Sequence, residues 1–206
     1  RAQYNDGQIS GAIKPGYLNE EGARSKSKTE TFVAIKAEIA NWRWSGTPFY
    51  IRTGKRMAGK ATNIVIHFKS DAHFIFDQDQ KSSTGNSLII SLHPTEGISL
   101  QVLTKRHGVN EGMRLRSDPM SLDFIKSQKL LKIPSGYQRL LLDILLGNQS
   151  LFLCKEEIEL AWEWCDNAYK IWQKSLQPLY SYPAGSNGPN ESKTLLQQNG
   201  HNWHDE

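Results

Sequence analysis

Apolar residues in this chain change their spacing once, near Pro134, and that change restricts what it can fold into. Upstream, hydrophobic residues recur at every second position in short runs. Residues 31–39 put Val33, Ile35, Ala37 and Ile39 on one face and Phe32, Ala34, Lys36 and Glu38 on the other, as in a half-buried strand. Residues 63–68, 87–93 and 97–104 are further strand segments, and 121–125 is a shorter one. Pro94-Thr95-Glu96-Gly97 joins 87–93 to 97–104 as a hairpin. Downstream, the spacing becomes helical. Residues 137–153 carry Tyr137, Leu140, Leu141, Ile144, Leu145, Leu151 and Phe152, with Gly147 as a tolerated interruption. Residues 155–173 form a second helix, with Glu156, Glu157 and Glu159 near the positive end of its dipole. Ile158, Ala161, Trp162, Cys165 and Tyr169 make its apolar stripe. Strands first and helices afterwards, without βαβ alternation, predict an α+β fold with antiparallel pairing.

The flanks are less patterned. Residues 1–30 read as an extended loop with a turn at Pro15-Gly16 and Tyr17-Leu18 as an apolar anchor. Asn41-Trp42-Arg43-Trp44, if extended, puts two tryptophans on one side, suited to a core or interface cluster or to stacking on a sugar. Residues 182–189 are a dense turn segment, followed by a short helix over 191–198 and a polar tail holding Trp203.

At 206 residues the chain can bury one substantial core or two small ones. It starts at Arg1 with a polar stretch and has no apolar run long enough for a membrane span, which predicts a piece of a larger soluble, cytoplasmic protein. Net charge is +4, from 25 bases and 21 acids, which favours anionic ligands without demanding nucleic acid. The bases in 105–116 and 126–132 would carry a nucleic-acid reading, which is set aside. Cys154 and Cys165 make neither a disulfide framework nor a metal motif. His201 and His204 read as part of a frayed, solvated tail rather than a metal site.

Charge concentrates in residues 49–60, FYIRTGKRMAGK. No acid occurs between Glu38 and Asp71, so nothing local neutralises Arg52, Lys55, Arg56 and Lys60. Gly54 and Gly59 each precede a lysine, and glycine allows the positive φ and close approach that would aim it. Two aimed ammonium groups suit an anionic or polyhydroxylated ligand; a solvated basic hairpin loop is the alternative. Gly54-x4-Gly59-Lys60 approaches a nucleotide-phosphate loop, but residue 61 is alanine and a strand, not a helix, follows.

Several stretches together resemble the C-terminal domain of bacterial glucose-6-phosphate dehydrogenases. They are Pro15-Gly16-Tyr17-Leu18, Glu30 through Ile35, Asn41 through Trp44, and Pro48 through Arg56. Tyr137, Arg139 through Asp143, Ala161-Trp162, Gly185-Ser186 and Gly188-Pro189 follow in the same order. The resemblance implies an α+β domain with a large, mainly antiparallel sheet, helices on one face and a dimer contact through the sheet. It implies that residues 1–206 form a single substrate and dimerisation domain of a longer enzyme. The nucleotide-binding domain, the Asp-His-Tyr-Leu-Gly-Lys motif and the catalytic histidine would lie upstream. The implied reaction oxidises glucose 6-phosphate to 6-phosphogluconolactone with NADP, in the oxidative pentose phosphate pathway. The implied oligomer is a dimer or tetramer.

Lys55 and Lys60 occupy the positions of the family's two substrate contacts from this domain. No catalytic residue, cofactor ligand or metal ligand is assigned within the chain. Arg52 begins the same motif and suits either shaping the loop or touching ligand. His93 stands where the mammalian branch has a substrate-contacting glutamine. Ser91, Ser99 and Gln101 replace the arginine, tyrosine and lysine of that branch's structural NADP site, so no structural NADP is expected. Gln138 stands in place of the family's glutamate. A stand-alone sugar-phosphate-binding or dimerisation module is the competing expectation.

Overall fold

The deepest packing forms where distant parts of the chain meet. In the computed structural model, which describes residues 1–69, 85–105, 115–123 and 136–204, β1 (Ala2–Asn5) runs parallel to β10 (Tyr180–Pro183), with Tyr4 opposite Tyr182. On its other side β1 meets β4 (Phe32–Ala37), which pairs antiparallel with β5 (Phe49–Gly54). Ala2, Tyr4, Phe32, Tyr182 and Ala184 make the buried cluster, and Tyr17, Ala34 and Met57 pack against it. Tyr182 and Phe32 are among its fully buried side chains, with ring centroids 5.5 Å apart. Neither β1 nor β10 has an alternating pattern long enough to announce itself. The expected loop over 1–30 therefore holds a core strand, the β2 (Gly7–Ile9) and β3 (Ala12–Lys14) hairpin, and a 3-10 turn over Tyr17–Asn19.

A second sheet pairs β6 (Thr62–His67), β7 (Ser87–His93), β8 (Gly97–Lys105) and β9 (Leu115–Asp123), all antiparallel. The hairpin between β7 and β8 is where the turn formers placed it. The fold is α+β with mainly antiparallel pairing, and among the described residues the strands divide among three hydrogen-bonded sheets. The division has a local cause: after β5 the chain leaves the ladder at Gly54 and loops before β6 begins.

Residues Arg1–Ser127 with Leu179–Glu206 form one unit, and Gln128–Pro178 form another. The first contains all the strands and α3 (Asn190–Gln197); the second contains α1 (Gly136–Leu145) and α2 (Lys155–Lys174). Helix α1 is shorter than its apolar spacing predicts. Gly147 adopts φ 68° and its N–H donates to Ile144 O, so it ends the helix instead of being tolerated inside it. Helix α2 matches its prediction. Its start is capped by Cys154, whose N–H donates to Glu157 Oε2 at 2.9 Å.

Two sequence expectations change in the first unit. In β4 Phe32 alone is buried; Val33, Ala34, Ile35 and Ala37 are all half-buried, with Ala34 packed against the core cluster, and Ile39 is exposed. Phe32 wins because aromatic neighbours from β1 and β10 surround it. The tryptophans are not paired on a strand: Asn41 Oδ1 accepts the Trp44 N–H and turns the chain, leaving Trp42 exposed and Trp44 edge-on to Phe49. The connection over 70–84 and the bases Arg106, His107 and Arg114 lie outside the described residues, as does the end of the 121–125 segment.

Gly188 tests the core. It sits at φ +100°, and an added Cβ would lie 2.5 Å from Phe32 Cε2. Gly188→Ala should destabilise the chain by about 2–4 kcal/mol in urea unfolding, combining backbone strain with overpacking. Gly59→Ala, where nothing lies within 4 Å, should leave the midpoint unchanged.

Candidate functional site

The basic stretch emerges from β5 as a loop fixed to the core by its backbone. Lys55 N–H donates to Thr31 O at 2.8 Å, and the Tyr182 hydroxyl lies 2.7 Å from Lys55 O. Gly185 N–H donates to Arg56 O at 2.7 Å, and Ala58 N–H donates to Ser186 O at 3.0 Å. The polar groups around Tyr182 form one directional chain. Tyr4 N–H donates to Thr31 Oγ1, which lies 3.2 Å from the Tyr182 hydroxyl. Backbone carbonyls only accept, so Tyr182 directs its one proton to Lys55 O, at 2.7 Å nearer than Thr31 O at 3.1 Å, and Thr31 is then the donor to Tyr182. Burial pushes the Tyr182 phenol above its ordinary value, which keeps that proton in place.

The glycines act differently from the sequence expectation. Neither Gly54 nor Gly59 has a positive φ; the left-handed residue is Arg56, at φ 52°. Gly54 is needed for close approach, because a Cβ there would meet Met57 Sδ at 2.6 Å and Phe32 Cδ2 at 2.7 Å.

Of the four cations in the stretch, two are used inside the protein. Arg56 Nη2 and Nε donate to Glu20 Oε1 at 2.7 and 3.2 Å, and the Tyr4 hydroxyl donates to the same oxygen at 3.1 Å. The guanidinium, followed by the phenol, holds the Glu20 carboxyl below its ordinary value against a desolvation that raises it; Glu20 in turn raises Arg56. Arg52 lies over the Trp203 ring, 4.6 Å from its centroid, and its Nη2 donates to His204 O at 3.4 Å. Its side chain is thus engaged with the C-terminal segment. Local sequence could not reveal this neutralisation, since Glu20 and Trp203 lie far away along the chain. Lys55 and Lys60 remain exposed on one loop, without an ion-pair partner among the described residues. The β6–β7 register sets His93 opposite Thr62, two residues beyond Lys60.

The C-terminal segment is packed rather than frayed. Tyr50 Oη and His201 Nδ1 are 2.9 Å apart, Lys36 Nζ donates to Asn199 Oδ1 at 3.3 Å, and Trp203 Nε1 donates to Ser192 O at 3.0 Å. His67 faces this segment, and burial, then the nearby His204 and His201, lower its pKa. Among the described residues no group of three or more metal-ligating side chains gathers. No helix among them is long and apolar enough to cross a membrane.

Residues 1–204 match the family model described as glucose-6-phosphate dehydrogenase, C-terminal domain. The chain belongs to that family. It is 46% identical over 206 residues to the glucose-6-phosphate 1-dehydrogenase of Rhizobium meliloti, covering 100% of this chain and 41% of the relative. The Bacillus subtilis enzyme is 38% identical, with 98% and 41% covered. A solved glucose-6-phosphate dehydrogenase in complex with its substrate glucose-6-phosphate superposes with a TM-score of 0.84, at 29% identity, over 99% of this chain and 41% of that one. This member of the family thus spans about two fifths of the length of the relatives it matches. In it, residues that sequence reasoning missed (Thr31, Tyr182, Glu20) carry the lysine loop.

The Glu20 anchor gives a pH signature. Its carboxyl holds a proton less readily folded than unfolded. The ion pair therefore supports the fold above the ordinary carboxylate value and loses that support as pH falls through the depressed folded value. Unfolding midpoints of the wild type and Glu20→Gln should differ at neutral pH and converge under acid. Parallel curves throughout would show that Glu20 contributes no such linkage.

Proposed function

We propose that this chain is the C-terminal substrate and dimerisation domain of a longer, cytoplasmic glucose-6-phosphate dehydrogenase, and that Lys55 and Lys60 bind glucose 6-phosphate. The observation carrying this reading is the pair of exposed lysines, without an ion-pair partner among the described residues, on a loop whose backbone is pinned to the core. An ammonium donates up to three hydrogen bonds and suits phosphate or sugar oxygens as a point charge. Family membership and the likeness to a substrate-bound neighbour support the same ligand.

The reaction removes a hydride from C1 of the sugar and a proton from its hydroxyl, leaving 6-phosphogluconolactone. NADP, when bound by the rest of such an enzyme, accepts the hydride. The chain has no glycine-rich nucleotide turn to hold it, so no residue here is assigned to the cofactor. The role of Lys55 and Lys60 is to bind and orient the sugar, and holding it restricts the arc through which C1 can move. We propose for His93, set opposite Thr62 by the β6–β7 register, a hydrogen bond to a hydroxyl of the sugar.

The sheet supports the oligomer. Ile66, Leu88, Leu100 and Met120 stand opposite one another across β6 to β9, as do Ile64, Ile90, Ile98 and Leu122. These two apolar rows share a face, and Met120 is 64% exposed and Leu122 54% exposed. A continuous apolar face of this kind marks a protein–protein contact, and we assign it to a second copy of the chain.

In the full-length protein, Lys55→Ala and Lys60→Ala should each raise KM for glucose 6-phosphate about 10- to 100-fold, the scale of a lost charge-assisted hydrogen bond. Unchanged KM in both would remove the substrate reading. The chain alone should reduce no NADP. Met120→Arg should shift the sedimentation of the full-length protein toward the monomer. If the chain by itself dimerises and binds glucose 6-phosphate at micromolar concentration, the stand-alone module becomes the better description.

A further inference from the structure

Lys55 has a flexible side chain, so the protein can fix only the backbone from which it departs. That backbone is held on both sides. Its N–H is spent on Thr31 O and its carbonyl on the buried Tyr182 hydroxyl. The next residue, Arg56, sits at φ 52°, a region that non-glycine residues enter sparingly. Two bonds oppose its return to ordinary geometry: Gly185 N–H to Arg56 O, and the Arg56 guanidinium to Glu20. Sparsely populated backbone of this kind persists only where surroundings over-determine it, and it clusters at ligand clamps. Glu20 gives its Oε1 to Arg56 and to the Tyr4 hydroxyl, and its role toward Lys55 is exerted through Arg56.

We propose that Tyr182 and Glu20 are positioning residues for Lys55, fixing the direction in which its ammonium leaves the protein. This rests on the reading of Lys55 as a sugar-phosphate contact. Tyr182 acts from inside the core, on the Lys55 carbonyl. Glu20 acts from the surface, keeping Arg56 left-handed so that the chain turns immediately after Lys55. Losing either anchor leaves the charge present and lets the loop sample directions that do not face the ligand.

The test uses the full-length protein with Tyr182→Phe, Glu20→Gln and Lys55→Ala, alone and with each anchor variant combined with Lys55→Ala. Steady-state rates are read against glucose 6-phosphate and NADP, with an unfolding midpoint for each. Tyr182→Phe and Glu20→Gln should each raise KM for glucose 6-phosphate about three- to tenfold, the scale of one hydrogen bond, with kcat and KM for NADP held within about twofold. In the Lys55→Ala background neither should add a further loss, because the group they aim is gone. Two results overturn the proposal while sparing the substrate reading: folded anchor variants with unchanged KM beside a raised KM in Lys55→Ala, or losses that multiply in the double variants. Unchanged KM in Lys55→Ala overturns the proposal together with the reading of Lys55 as a substrate contact. Should Tyr182→Phe fail to fold, Glu20→Gln decides, because it removes a partly exposed charge and leaves an amide oxygen that can still accept from the Tyr4 hydroxyl.

Discussion

The bond from the Tyr182 hydroxyl to the Lys55 carbonyl joins the core to the candidate site. Tyr182 belongs to β10, late in the chain, yet it fills the centre of a cluster made by β1 and β4. Its ring supplies apolar surface against Phe32 and Tyr4, and its hydroxyl donates to the Lys55 carbonyl in a part-buried bond. One side chain therefore closes the hydrophobic cluster and ties down the loop. The surrounding glycines follow from it. Gly188 lets the returning chain pass over Phe32, and Gly54 lets Met57 fold back onto the same ring.

The distribution of charge follows the same economy of contacts. Four cations leave β5 within nine residues, and leaving all of them unpaired would set like charges against one another. Arg56 is paired with Glu20 and Arg52 is stacked on Trp203, so both guanidinium groups hold structure together. The two ammonium groups stay at the surface. This division suits their chemistry: planar guanidinium groups make bidentate and stacked contacts, while lysine is a mobile point charge.

Much of the strand and helix layout could be read from periodicity. The segments β6, β7 and β8, the hairpin between the last two, and α2 all follow from alternation, turn residues or helical spacing. What periodicity hid is equally specific. β1 is four residues long and β10 contains a proline, so neither shows a pattern, although both build the core. In β4 alternation identified the strand, and neighbours from other segments decided that Phe32 is the residue enclosed. The C-terminal tail looks polar and frayed in sequence, and is held through Tyr50, Arg52 and Lys36.

Residue type and spacing alone determined that the chain is α+β, that most of its strands precede its two longer helices, and that residues 49–60 carry a basic stretch with no acid near it in sequence. Local sequence carries these because they depend on the preferences of neighbouring residues. Tertiary structure decided which two of the four cations face solvent, which residue turns the loop, and that Thr31, Tyr182 and Glu20 hold it. Those outcomes depend on groups brought together from distant parts of the chain, with Lys55 and Tyr182 separated by 127 positions. Contacts over that separation leave no trace in local spacing, because packing and burial create them only once the strands have met.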